Sequence, residues 1–221
     1  MRTIMHAMIL AAGRGERLKP ITNNLPKCLV KIDGECLLER HFKMLIKSGI
    51  RKVVINLGWL GKKIVEFAGS GERFGLEITY SSEIDEILET GGGITKALPL
   101  LGDYPFWVIN GDIYTDFIVP EIILEDGVLG HLILVPKPTY KLKGDFDLDN
   151  NTVIRKINPT LTFSGIALYD PKAFEGMKPE KFSIVPLLNK LIDNQCIKGS
   201  LFEGAWEDVG TPERLIKLNS S

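Results

Sequence analysis

The chain has 221 residues, 44% of them hydrophobic, with 27 lysines and arginines against 28 aspartates and glutamates, for a formal net charge of −1. That length suits one α/β domain, and the even charge excludes a global basic field for nucleic acid or an anionic membrane, so an anion site must be local and its ligand small. No stretch approaches the ~20 apolar residues of a membrane span and no signal-like apolar core opens the chain, so the expectation is a cytoplasmic protein without a membrane partner.

The first expected element is a short buried strand, His6 to Leu10. Gly13 and Gly15 follow it, where the lack of a Cβ lets backbone N–H groups approach an anion, and Arg17 and Lys27 add positive charge to the same loop. Two common explanations fail. A dinucleotide fingerprint needs a third small residue where this chain has Leu18, and no Gly-Lys-Ser/Thr of a P-loop occurs. Pro20 and Pro26 forbid one continuous helix through the segment.

The pattern then alternates. A helix is expected near Leu37 to Lys47, striped by Leu38, Phe42, Leu45 and Ile46. A strand over Val53 to Asn56, a helix near Leu60 to Phe67 and a strand over Glu77 to Ser81 come next. The acidic run Glu83 to Glu89 reads as a solvated loop, Glu89 to Gly93 as a small-residue loop, and Ile94 to Leu98 as the helix after it. Strands follow at Phe106 to Asn110, Leu132 to Val135 and Leu161 to Leu168, with helices near Ile184 to Ile192 and Pro212 to Leu218. The polar stretch Lys137 to Pro159 reads as short hairpins over the sheet edge rather than core. Such alternation implies a single-domain α/β fold, a Rossmann-like, mainly parallel sheet flanked by helices, with ligands at the carboxyl ends of its strands.

Asn110-Gly111-Asp112 lies where an apolar strand ends, which presents Asp112 at that edge. A carboxylate there suits Mg²⁺, a hard cation bound through one or two carboxylates together with substrate phosphates. The plainer alternative is a strand-ending turn. Asp208, just before Thr211 and Pro212, reads from its surroundings alone as a residue before a helix start. The histidines, His6, His41 and His131, have no spacing for zinc or a nucleophile pair. Cys28, Cys36 and Cys196 lack metal-ligand spacing, and only Cys28, next to Lys27, has a cation to favour its thiolate.

The run Gly13-x-Gly15-x-Arg17-x-x-Pro20-x-Thr22-x-x-x-Pro26-Lys27 resembles the motif of the sugar-phosphate nucleotidyltransferases. Four further segments extend the resemblance over nearly the whole chain: Asn56 to Gly61, Leu88 to Ile94, Thr160 to Gly165 and Trp206 to Thr211. The resemblance implies one catalytic domain over 1–221, with a hairpin-rich sugar-binding subregion around 137–168. It implies Mg²⁺ as cofactor on Asp112 and Asp208, with Arg17, Lys27 and Asp112 as catalytic residues. Nucleotide contacts are implied for Ala12, Gly13, Gly15, Glu16, Arg17, Lys27, Glu89 and Gly92, and sugar contacts for Asn110 and Asp145. The implied partners are UTP, or another nucleoside triphosphate, and a sugar 1-phosphate, handled by a chain compatible with a monomer and lacking the extra C-terminal domain of some relatives. A non-catalytic nucleotide-sugar-binding domain is the alternative from another class. Two departures stand out: Cys28 after the lysine, and Glu207 before Asp208, where strand alternation predicts that the extra acid points to the opposite face.

Overall fold

The computed structural model describes residues 5–220. Strand β1 (His6–Leu10) leads through a loop of short 3-10 turns to a hairpin of β2 (Lys31–Ile32) and β3 (Glu35–Cys36), then to helix α1 (Leu37–Lys47), β4 (Lys52–Leu57), α2 (Gly61–Ala68) and β5 (Glu77–Ser82). Helix α3 (Glu89–Leu101), β6 (Phe106–Asn110), β7 (Ile113–Thr115), β8 (Gly130–Pro136), β9 (Asp147–Asp149), β10 (Thr152–Ile154) and β11 (Leu161–Tyr169) follow. The chain closes with α4 (Ile184–Asp193), β12 (Ile197–Leu201), β13 (Trp206–Asp208) and α5 (Pro212–Leu218).

Nine of these strands form one mixed sheet in the order β5-β4-β1-β6-β11-β8-β12-β10-β9. β5, β4, β1 and β6 are mutually parallel, and β11 runs antiparallel between β6 and β8. The carboxyl ends of β1, β4 and β6 therefore share one edge, and β1 is where the chain order reverses, the crevice position favoured for ligands.

Period-two alternation sends side chains to two cores. Ala7, Ile9, Val53, Ile55, Trp107 and Ile109 pack with α1 and α2 on one face. Met8, Val54, Phe106 and Val108 pack with α3 and α4 on the other. Full burial of each large apolar side chain is worth roughly 1.5–3 kcal/mol, so this double-sided burial fixes the register that aligns the strand ends. A small third cluster of Ile32, Leu37 and Val209 seats α5 beside the β2–β3 hairpin.

The fold class and the principal elements follow the sequence reading, with three differences. Helix α3 begins at Glu89 rather than Ile94, and its glycines lie within the helix, where they leave room for Phe182, the Glu180 carbonyl and Glu83 to pack closely. The hairpin within 137–159 does not merely overhang: β9 and β10 extend the main sheet, and Val153 is fully buried in the second core. Strands β12, β7 and β13 have no counterpart in the periodicity; β12 carries Gly199 and Ser200, and the other two have three residues each.

His41 is buried inside α1, and this lowers its pKa from 6.5 to about 4, with the nearby Gly111 backbone partly opposing. The unfolded chain therefore takes up this proton first as pH falls. Stability contributed by neutral His41 is intact above pH 6.5 and is lost progressively toward pH 4, at up to ~1.4 kcal/mol per pH unit. Melting temperatures across that window should fall more steeply for the wild type than for His41→Gln; parallel profiles would assign the acid sensitivity to other groups.

Candidate active site

The loop after β1 is held by a buried chain of hydrogen bonds. The Ala11 N–H donates to Asn56 Oδ1 at 2.6 Å, Asn56 Nδ2 donates to Glu83 Oε1 at 2.7 Å, and the Leu88 N–H donates to Glu83 Oε2 at 2.9 Å. This chain links the end of β1, the end of β4 and the approach to α3. Glu83 is only 1% exposed, which corrects the solvated-loop reading of 83–89 at its first residue. A carboxylate with both oxygens satisfied tolerates burial. On its outer side the loop is pinned by Trp59, whose N–H donates to the Ala12 carbonyl at 3.1 Å and whose indole donates to the Thr22 carbonyl at 3.0 Å. Gly15 turns with φ +63, a left-handed conformation suited to glycine, and its carbonyl accepts from Thr22 Oγ1 at 2.8 Å.

A cleft of about 360 Å³ opens at this edge, lined by Ala12, Gly13, Gly15, Glu16, Arg17, Lys27, Glu89, Asn110 and Asp112 among others. Asp112 follows β6 after Gly111, its backbone fixed by Gly111 N–H to the Leu10 carbonyl at 2.9 Å and by Val209 N–H to its own carbonyl at 2.9 Å. Antiparallel pairing of β13 with β7 sets Asp208 opposite Ile113 and so beside Asp112. The Lys27 ammonium pairs with Asp112 Oδ2 and lies 3.7 Å from Asp208 Oδ1. Asp208 Oδ2 lies 3.8 Å from Arg17 Nη2 and accepts from Arg214 Nη1 at 2.9 Å. Residues remote in sequence thus form one knot of two carboxylates and three cations.

The carboxylate pair fits a divalent metal. Asp208 Oδ1 is buried and accepts no hydrogen bond, with the Lys27 ammonium 3.7 Å away, so its lone pairs could serve a cation. Among the described residues no group of three or more metal-ligating side chains occurs. Two carboxylates at a phosphate-binding edge are a donor set of the kind that Mg²⁺ takes, its remaining positions being filled by water and substrate phosphates.

Other expected residues sit differently. Gly92 is buried in α3, its N–H directed at the Phe182 carbonyl at 3.3 Å, and a Cβ there would lie 1.9 Å from the Glu180 carbonyl oxygen. Its smallness serves the packing of α3 against 180–182, and it does not line the cleft. Glu16 lines the rim and pairs with Lys19. Asp145 also lies off the cleft, with Oδ2 accepting from Lys141 Nζ at 2.8 Å and the Phe163 N–H at 3.0 Å. Asn110 packs over Gly165. Cys28 is 2% exposed, and burial pushes its thiol up, so the neighbouring Lys27 does not make it a thiolate and it serves as a small buried hydrophobe. Glu207 shares a cation with Asp208, since the Arg214 guanidinium lies with Nε 3.9 Å from Glu207 Oε1 and Nη1 2.9 Å from Asp208 Oδ2. Arg214, Asn56 and Glu83 are site residues that the sequence reading did not single out, although Asn56 opens one of its motif segments.

The nucleotidyl transferase family matches residues 6–126. N-acetylmuramate alpha-1-phosphate uridylyltransferase of Neisseria meningitidis serogroup B is 40% identical over 96% of this chain and 95% of its own length. The protein of the same name from Caulobacter vibrioides is 30% identical over 94% and 92%. The fold matches UDP-glucose pyrophosphorylase complexed with UDP-glucose, with a TM-score of 0.77 at 18% identity over 99% of this chain and 98% of that one. With the cation–carboxylate knot at the strand ends, these likenesses identify the chain as a member of the nucleotidyl transferase family, among its sugar-1-phosphate nucleotidyltransferases.

Proposed function

We propose that the chain transfers a uridylyl group from UTP to N-acetylmuramate 1-phosphate, giving UDP-N-acetylmuramate and pyrophosphate. The observation that carries the choice of substrates is the 40% identity to the Neisseria uridylyltransferase along almost the full length of both chains. The chemistry itself rests on the knot around Lys27.

A phosphate oxygen of the sugar 1-phosphate attacks the α-phosphorus of UTP, and the bond to the bridging oxygen breaks in line to release pyrophosphate. No covalent enzyme intermediate is needed, so the task is to hold two mutually repelling anions and stabilise the charge that moves onto the leaving group. The glycine-bearing loop brings backbone N–H groups to the triphosphate, Arg17 takes the β- and γ-phosphates, and Lys27 takes the phosphates at the reacting centre. Asp112 and Asp208 would hold Mg²⁺. When bound, Mg²⁺ supplies charge neutralisation at the phosphate oxygens. Glu89, at the cleft wall, contacts the nucleoside, Asn110 the sugar, and the 137–168 region with Asp145 encloses the sugar side.

Pyrophosphate release should be fastest with UTP, N-acetylmuramate 1-phosphate and Mg²⁺ together, and should cease on chelation. A panel with GTP, mannose 1-phosphate and a heptose 1-phosphate checks the choice: faster turnover on any other pair would overturn the proposed substrates while leaving the transfer chemistry.

A further inference from the structure

We infer that Arg214 is a positioning residue: it fixes one oxygen of Asp208 so that the other is presented to a divalent cation, and Tyr140 holds the guanidinium in place. The inference rests on the proposed role of Asp208 as a metal ligand.

Arg214 Nη1 donates both to Asp208 Oδ2 at 2.9 Å and to the Asp208 backbone carbonyl at 3.1 Å. Two acceptors of one residue on one nitrogen restrict rotation of the carboxylate. They leave Oδ1 buried without a hydrogen bond, 3.7 Å from Lys27 Nζ. Gly210 makes the arrangement possible. A Cβ there would lie 2.9 Å from Asp208 Oδ1, 3.1 Å from Arg214 Nη1 and 3.2 Å from Arg17 Nη2.

Arg214 is itself held. Its guanidinium lies 3.6 Å from the centre of the Tyr140 ring, and its Nε is 3.9 Å from Glu207 Oε1. Tyr140 lies between β8 and β9, so a segment outside the metal edge braces the side chain that orients Asp208. This gives Glu207 a function as counter-charge to Arg214.

Two effects of Arg214 on a metal oppose each other. Its positive charge repels a cation, whereas its hold on Oδ2 preorganises the ligand. Outer partners of metal ligands commonly change affinity by about 10–100-fold, and the inference is that orientation wins.

The experiment titrates Mn²⁺ into the purified full chain, followed by electron paramagnetic resonance, alongside the Mg²⁺ concentration for half-maximal pyrophosphate release. Arg214→Gln should weaken Mn²⁺ binding about tenfold and raise the Mg²⁺ requirement more than it lowers turnover at saturating Mg²⁺. Tyr140→Leu, which leaves the charge, should weaken Mn²⁺ binding about threefold. Should Arg214→Gln fail to fold, Arg214→Lys carries the test, since an ammonium lacks the planar fork; binding weaker by about threefold is expected, and unchanged binding overturns the inference. Unchanged or tighter Mn²⁺ binding in Arg214→Gln, with binding lost in Asp208→Ala, would overturn the positioning role and keep the metal site. Wild-type Mn²⁺ binding in Asp208→Ala would overturn the metal assignment itself, and the inference with it.

Discussion

Asp112→Ala is expected to lower pyrophosphate release at least about a thousandfold, ~4 kcal/mol of barrier, while the protein stays folded. The first half follows from position. Asp112 is presented at the strand edge by β6, lines the cleft, and is one of two carboxylates on the Lys27 ammonium. Its loss removes a candidate metal ligand and releases Lys27 from this ion pair. The second half follows from the backbone. Asp112 is fixed through its carbonyl, which accepts from the Val209 N–H at 2.9 Å, and through Gly111 N–H to Leu10, and neither bond involves the carboxylate. The side chain is 32% exposed, so alanine opens no buried cavity. Circular dichroism and thermal melting should match the wild type, and Mn²⁺ binding should weaken. A folded variant that keeps a tenth or more of wild-type turnover at saturating Mg²⁺ would remove Asp112 from the catalytic set.

How much of this was legible in the sequence depends on the distance over which each contact acts. Strands of five or six apolar residues, such as Met8 and Ile9 in β1 or Val108 and Ile109 in β6, announce themselves through local pattern, and so does the edge at which they end. Asp112 was legible because one strand carries it there. Asp208 was not legible from its surroundings, since its partner strand β7 has three residues and lies nearly a hundred positions earlier; only the motif resemblance pointed to it. Glu83 was misread as solvated because its partners, Asn56 and the Leu88 N–H, are supplied by the fold. Arg214 was missed because it sits in a short exposed helix, where a basic residue reads as surface. Its partners, Tyr140 and Asp208, converge only in three dimensions. Gly92 illustrates the reverse error: three glycines suggest an open loop, yet here they lie in a helix and admit the Phe182 ring at Gly91, the Glu180 carbonyl at Gly92 and the Glu83 carboxylate at Gly93.

Lys27→Met is expected to separate two quantities that Asp112→Ala moves together. In the structure the Lys27 ammonium, 13% exposed, lies against Asp112 Oδ2 and 3.7 Å from Asp208 Oδ1, so it shares the oxygens proposed for the metal. Methionine keeps the length and apolar stem but leaves two carboxylates without that counter-charge. Mutual repulsion then lowers stability in metal-free solution, and a divalent cation gains by relieving it. Mn²⁺ should therefore bind more tightly than to the wild type. Turnover should nevertheless fall at least about a hundredfold, ~2.7 kcal/mol, because the charge developing between the α-phosphorus and the leaving oxygen loses its ammonium. The two readouts move in opposite directions only if Lys27 acts on the reacting phosphates. Weaker Mn²⁺ binding together with slower turnover would make Lys27 a prop for the carboxylate pair. Wild-type turnover at saturating Mg²⁺ would reject the catalytic role outright. Added Mg²⁺ should raise the melting temperature of Lys27→Met by more than that of the wild type, because the metal restores the missing positive charge and its binding is linked to folding.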